Sequence, residues 1–135
     1  MAKMNMIVAL KNAVLQQFVD KIDAGGAAGS MAFYTADMPN SASTAISTQT
    51  LIGTTALSYP CGTVADGLLT FSAITEDASA DADGTVAFVR YKDSGGNAVL
   101  DLDVSTVGGT GFVQMNTTTV AKGGALRVSS ATFGF

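Results

Sequence analysis

The sequence predicts a mainly β domain, an antiparallel two-sheet sandwich of jelly-roll or immunoglobulin-like kind, with one N-terminal amphipathic helix. Three observations carry this. Apolar residues recur at helical spacing only before residue 24. About seven or eight short alternating segments follow, separated by turn residues roughly every ten positions. Residues 84–104 read as a β-hairpin in which every cross-strand pair matches in kind.

The helix is expected over about residues 5–24. Ile7, Val14, Phe18 and Ile22, flanked by Val8, Leu15 and Val19, recur at steps of three, four and seven, while Lys11, Gln16, Gln17, Asp20, Lys21 and Asp23 lie mostly off that stripe. Gly25 and Gly26 supply a left-handed stop. A polar face mixed in sign and poor in Lys and Arg suits packing on a sheet rather than on a membrane surface. The polar residues also interrupt any transmembrane span or secretory h-region, so synthesis and folding in a cytoplasm are expected.

Residues 30–36 form a short strand with Met31 and Phe33 on one side. Residues 37–49, DMPNSASTAISTQ, are a polar loop too long for a hairpin, of the kind that carries recognition on a β scaffold. A strand over 50–59 ends at Pro60, which cannot donate to a ladder. After the turn signal Ala65, Asp66, Gly67, a strand over 68–75 places Leu69, Phe71 and Ala73 on one face.

In the hairpin, Val89, Tyr91, Leu100, Leu102 and Val104 take the core face, and Arg90, Lys92, Asp101 and Asp103 face water. A primed turn at Gly95 and Gly96 sets Tyr91 opposite Leu100, Val89 opposite Leu102 and Arg90 opposite Asp101. An ion pair on the water face is worth well under about 1 kcal/mol. Residues 105–111, STVGGTG, are a connection, because no Gly-Lys-Ser or Gly-Lys-Thr follows to make a phosphate loop. Strands over 112–119 and 125–135 complete the set. The terminal Phe133 and Phe135 are expected either to close the sandwich or to dock on a neighbour.

A chain of 135 residues is one domain by length and needs no metal or disulfide to fold. Its one cysteine, Cys61, reads as a small, partly buried thiol beside Pro60. The absence of histidine removes the commonest general base and metal ligand, and the carboxylates do not form an acid–base pair in the sequence, so an enzyme is not expected. Seven basic against eleven acidic residues, a net charge of −4, argue against a nucleic-acid surface. Only 13% of residues are charged, about half the usual share. A surface of small residues loses little side-chain entropy when covered, which suits a subunit of an assembly. Asp77, Asp81 and Asp83, in EDASADADG, are the calcium candidate, but the run lacks the third Asp or Asn and the bidentate Glu of an EF-hand. No cofactor is expected.

The helix closing on DAGGAAG, then MAFYTADMP, TLIGTTALSYP, LLTFSAITEDASADADGTVAFVRYKDSGGNAVLDLDV and NTTTVAKGGALRVSSATF, resemble the small proteins among the virion structural genes of tailed bacteriophages and prophages. The resemblance runs along nearly the whole chain. It implies a non-enzymatic capsid decoration or cement protein, a homo-oligomer on the capsid exterior that ties major capsid subunits together and binds neither nucleic acid nor membrane. Assembly contacts are then expected from the helix surface and from Met38, Pro39, Ile46, Phe112, Phe133 and Phe135. The alternative is a small tail or collar component, or a tail-associated receptor- or carbohydrate-binding module reading through the loops at 37–49 and 108–112. Those loops are short of the aromatics that sugars stack on.

Overall fold

The computed structural model describes residues 5–134, within which one helix is followed by ten strands. Helix α1 spans Val8–Ile22, and Leu15, Val19 and Ile22, at steps of four and three, are its buried residues. It starts later than the spacing predicts, because Ile7 is extended and no side chain caps the first turn. It ends at Asp23, whose carbonyl accepts the Gly26 N–H at 3.2 Å.

The strands are β1 (Ser30–Tyr34), β2 (Leu51–Ala56), β3 (Gly62–Ala65), β4 (Leu68–Phe71), β5 (Gly84–Thr85), β6 (Phe88–Lys92), β7 (Ala98–Thr106), β8 (Val113–Met115), β9 (Thr119–Val120) and β10 (Ser130–Gly134). Eight of them form one sheet in the order β2-β1-β6-β7-β8-β10-β4-β3, and β5 pairs with β9 apart from it. The class is as expected, mainly β with one helix. In place of two antiparallel sheets, however, there is one large mixed sheet, because β7 and β8 run parallel. The sheet curls. Phe71 of β4 stacks on Tyr91 of β6, ring centroids 4.8 Å apart, although three strands separate them in the sheet order. The helix closes this curl, and Leu15, Val19 and Ile22 share one core cluster with Met31, Phe33, Tyr91 and Phe71.

The hairpin β6–β7 keeps the predicted register: Tyr91 opposes Leu100, Val89 opposes Leu102 and Arg90 opposes Asp101. Its turn differs. Residues 93–97 make a longer loop in which only Gly96 of the two glycines is left-handed, at φ 83°. The Gly96 N–H closes on the Asp93 carbonyl at 3.1 Å, a turn followed by a left-handed residue. A register irregularity between Tyr91 and Lys92 absorbs the extra residue, so the strands beyond it meet as they would across a two-residue turn. The strand β3 lies beyond Pro60, where the sequence reading placed none; it pairs with β4 across the turn at Asp66 and Gly67.

Parallel neighbours normally need a crossover of a dozen or more residues, yet residues 107–112 alone carry the chain from the end of β7 back to the start of β8. The return is made by laying the loop on its own strand. A Cβ on Gly109 would lie 2.6 Å from the Ser105 Oγ, and one on Gly111 would lie 2.6 Å from the Ser105 nitrogen and 2.9 Å from the Val104 carbonyl carbon. The Ser105 hydroxyl accepts the Gly111 N–H at 3.1 Å, and the Asp103 carboxylate accepts the Phe112 N–H at 3.1 Å. Gly109 and Gly111 of STVGGTG are therefore spacers of zero width.

Gly111→Ala is expected to cost roughly 2–3 kcal/mol, since the added methyl meets backbone on two sides. Gly95→Ala, which meets only the ends of the Asn97 and Asp93 side chains, is expected to stay within about 0.5 kcal/mol. Urea unfolding of the two variants checks the contrast; equal midpoints would mean that the loop does not lie on β7.

Candidate interaction surfaces

Alternation along β1 sends Met31 and Phe33 to the helix side and Ala32 and Tyr34 to the opposite side, and all four are buried. The opposite side is covered by residues 37–49. Tyr34 stacks on Phe88, centroids 5.4 Å apart, and Ile46 packs over this pair and Ala32. The loop ends are drawn together at its base, where the Thr35 N–H donates to the Thr50 carbonyl and the Gln49 side-chain amide donates to the Asp37 carbonyl at 2.7 Å. It forms a strap across the sheet.

Arg90 pins the strap. Its Nε and Nη2 donate to the two oxygens of Asp101 at 2.7 and 2.9 Å, Nη1 donates to the Thr44 carbonyl at 2.8 Å, and Nη2 also reaches the Ser41 carbonyl at 3.4 Å. The pairing partner is the one predicted, but the surroundings are not. The two side chains are only 5% and 4% exposed, so the ion pair faces the underside of a loop rather than water. Hydrogen bonding to Asp101 holds the guanidinium above its ordinary pKa, against the opposing pull of burial.

The residues singled out for assembly separate into three groups. Met38 is exposed and Pro39 partly so, both on the strap. Ile46 is half-buried on the Tyr34–Phe88 pair. Phe133 lies within β10 and opposes Leu69; its ring meets Phe18 edge-on at 5.0 Å and Phe112 at 5.3 Å, so it joins helix, sheet and return loop. Phe112 keeps an exposed edge. Phe135 lies outside the described residues.

Exposed apolar side chains that the sequence reading did not name as contacts are Ile7, Val8 and Leu10 at the start of α1, and Leu51, Tyr59, Leu68 and Val107 elsewhere. Val8 continues the stripe of Leu15, Val19 and Ile22, yet it is 49% exposed, and Ile7 and Leu10 are 73% and 48% exposed. The first turn overhangs the sheet. Beneath it the β3–β4 turn is tied to the helix, its Gly67 N–H donating to the Asn12 side-chain oxygen at 2.8 Å, and Leu68 next to that turn is also exposed. Covering the exposed half of such a side chain is worth about 1 kcal/mol. The signal was present in the sequence, where the apolar stripe runs one turn further than the sheet beneath it.

The acidic run does not converge. Asp77 accepts the N–H groups of Thr54 and Ser79 at 3.0 and 3.1 Å, Asp83 accepts the Lys122 N–H, and Asp81 is exposed. Among the described residues no three acidic or cysteine side chains come together to hold a metal. No helix among them is long and apolar enough to cross a membrane. Three surface hollows of about 250, 190 and 180 Å³ fall below the roughly 300 Å³ at which ligand pockets begin.

Cys61 is fully buried beneath the end of α1, and its N–H donates to the Asp23 carboxylate at 3.0 Å. Burial first, and then the charge of Asp23, push its thiol up to about 12 from an ordinary 9.0. The buried Tyr91 hydroxyl, which finds no hydrogen-bond partner among the described residues, is likewise pushed up by burial and by Cys61.

Arg90→Ala is expected to cost about 3 kcal/mol or more, because it leaves Asp101 buried and unpaired. Hydrogen exchange at residues 41–46 should accelerate with it, whereas Lys92→Ala, on the same strand but half-exposed, should change little. A loss under about 1 kcal/mol for Arg90→Ala would show the strap to be held by something else. For Cys61, both neutral-form preferences run one way: the folded state keeps the thiol protonated, so stability is complete below about pH 9 and declines as pH rises toward 12. The native protein should resist a thiol reagent at pH 8 and react once unfolded. Cys61→Ala should flatten the first part of the alkaline decline, with Tyr91 adding its share above pH 10.0.

A scan against protein-family models finds no match for this chain, and neither the curated proteins nor the solved structures contain a match to it.

Proposed function

We propose that this chain is a non-enzymatic virion structural subunit that decorates or cements the capsid shell of a tailed phage by binding major capsid subunits. The observation that carries the reading is the overhanging first turn of α1, where Ile7, Val8 and Leu10 project from a body in which only 13% of residues are charged. Apolar side chains gathered at one end of such a body suit a partner that covers them. The resemblance of the chain to small virion proteins supplies the partner class.

Two further features support a structural role. The curled sheet, with Phe71 stacked on Tyr91 across its interior, is read as a sandwich-like plate of the jelly-roll or immunoglobulin-like kind. The strap is tied by a buried guanidinium and lacks the ring of exposed aromatics that a sugar-reading loop uses.

The test is co-sedimentation of the purified protein with capsid shells that lack it. Saturation at a fixed ratio to the major capsid protein is expected. Failure to pellet with shells, together with binding to isolated tails, would move the chain to the tail or collar; binding to neither would end the structural-subunit reading.

A further inference from the structure

We infer that the strap, residues 37–49, is a lid that opens as a unit about Ala36 while the rest of the fold stays closed, and so decides whether the sheet face beneath it is exposed. This goes beyond the structural-subunit reading, because the device belongs to the chain alone.

The strap has one latch. No residue from 37 to 49 is buried. Many of its hydrogen bonds stay within it: Ser41 bonds to Ser43, the Thr44 N–H donates to the Ser41 carbonyl, and the Gln49 side chain joins the Ser47 N–H to the Asp37 carbonyl. Among the described residues, its hydrogen bonds to the body come from Arg90, at 2.8 Å to the Thr44 carbonyl and 3.4 Å to the Ser41 carbonyl. Ile46 is the apolar side chain that it lays on the Tyr34–Phe88 pair. Segments with so few buried contacts lie at the low-stability end of a fold and open without the rest.

The hinge is a residue held against its preference. At the foot of the strap the Thr35 N–H donates to the Thr50 carbonyl at 3.1 Å and the Thr50 N–H to the Thr35 hydroxyl oxygen at 3.0 Å, so both ends leave from one closed base. Immediately beyond that base Ala36 has φ 65°. Left-handed backbone is unfavourable for a residue that carries a Cβ. Asp66, at φ 53°, lies in the two-residue turn between β3 and β4 that demands this conformation. Ala36 is exposed and serves no hairpin; the docked strap is what holds it there. Conformations of this kind gather at switch segments, where surrounding contacts must impose them. Opening lets Ala36 relax.

Opening also strands no charge. The Arg90 bonds to Asp101, at 2.7 and 2.9 Å, do not involve the strap. The ion pair therefore survives, and water takes over from the two strap carbonyls. What is uncovered is Ala32, Tyr34 and Phe88, which are 2%, 6% and 1% exposed in the closed form. Strand β1 keeps β2 and β6 on either side throughout. The face can be shown and hidden again without breaking a ladder.

Native-state thiol labelling tests this. In Ala32→Cys the introduced thiol lies beneath the strap, and the buried Cys61 of the main core reports opening of the whole fold. The introduced thiol is expected to react about ten-fold faster than Cys61 or more, at a rate flat in low urea, while the Cys61 rate climbs, because the urea slope scales with the surface exposed. Adding Ala36→Gly, which accepts φ 65° freely, should slow the introduced thiol about five-fold, and Ala36→Val should hasten it. Thermolysin cleavage of the unaltered chain before Ile46 gives a second reading that needs no thiol at position 32, and Ala36→Gly should slow it likewise. Equal rates and equal urea slopes for the two thiols would show strap and core opening together and would overturn the inference. Labelling and cleavage both indifferent to Ala36→Gly would overturn the hinge.

Discussion

The structure depends on where β10 inserts. The hairpin β3–β4 has no neighbour in the sheet except β10, which on its other side pairs with β8. Among the described residues β10 is therefore the strand through which the ladder runs from β8 to the β3–β4 hairpin. Helix α1 rests on β3 and β4 with its edge on β10 and β7, so its buried stripe acquires a complete floor only when β10 is in place. The Phe71–Tyr91 stack has the same requirement, since β4 reaches β6 only through the curl that β10 completes. Contacts of this separation are won late against loop-closure entropy. Phe133, at the meeting of helix, return loop and sheet, is consequently a part of the closure rather than a tail.

How far the sequence reveals this structure follows from what alternation encodes. A period of two assigns each side chain to a face but says nothing about which strand lies alongside. The β6–β7 register was legible because both strands and their turn are adjacent in sequence, and it survived a wrong turn type because the irregularity at Tyr91 and Lys92 restored the count. The parallel alignment of β7 and β8 left no local trace beyond glycines 109 and 111, whose role emerges only when Ser105 is seen beneath them. The insertion of β10 between β8 and β4 is a non-local pairing that no pattern within residues 130–134 specifies.

The strap was misjudged for a related reason. Arg90 and Asp101 occupy polar positions of an alternating pattern, and such positions usually mean water. The contrary signal lay in β1, where Met31, Ala32, Phe33 and Tyr34 run without a polar break. A run of that kind marks a strand buried on both faces, and β1 lies directly beside β6. Something had to cover the outer face, and the only long loop leaving β1 was the one at 37–49. Once covered, a guanidinium in that position must have every donor accounted for. With Asp101, the strap carbonyls of Thr44 and Ser41 take four of the five guanidinium N–H groups, so burial of the ion pair and docking of the loop are one event seen from two sides.

The acidic excess has a similar explanation. Of the eleven acidic residues, Asp23, Asp77, Asp83, Asp93 and Asp103 each accept a backbone N–H, and Asp101 and Glu76 each hold an arginine. Asp93 shows the effect on the carboxyl itself: the Asn97 backbone N–H, the Asn97 side-chain amide and the Gly95 N–H hold its pKa below the ordinary value. These carboxylates close loops and terminate strands at donors that no ladder reaches. They are short fasteners, and Glu76, Asp83 and Asp103 among them serve in this way while still exposed to water. A chain built this way keeps little charge to spread over its exterior, and its outward-facing side chains include many Ala, Gly, Ser and Thr, with exposed apolar groups at the start of the helix and scattered over strands and loops. Closing loops with Asp and leaving the surface small is a consistent solution for a protein whose exterior is to be covered, because neither long side chains nor stranded charges must be desolvated when a neighbour arrives.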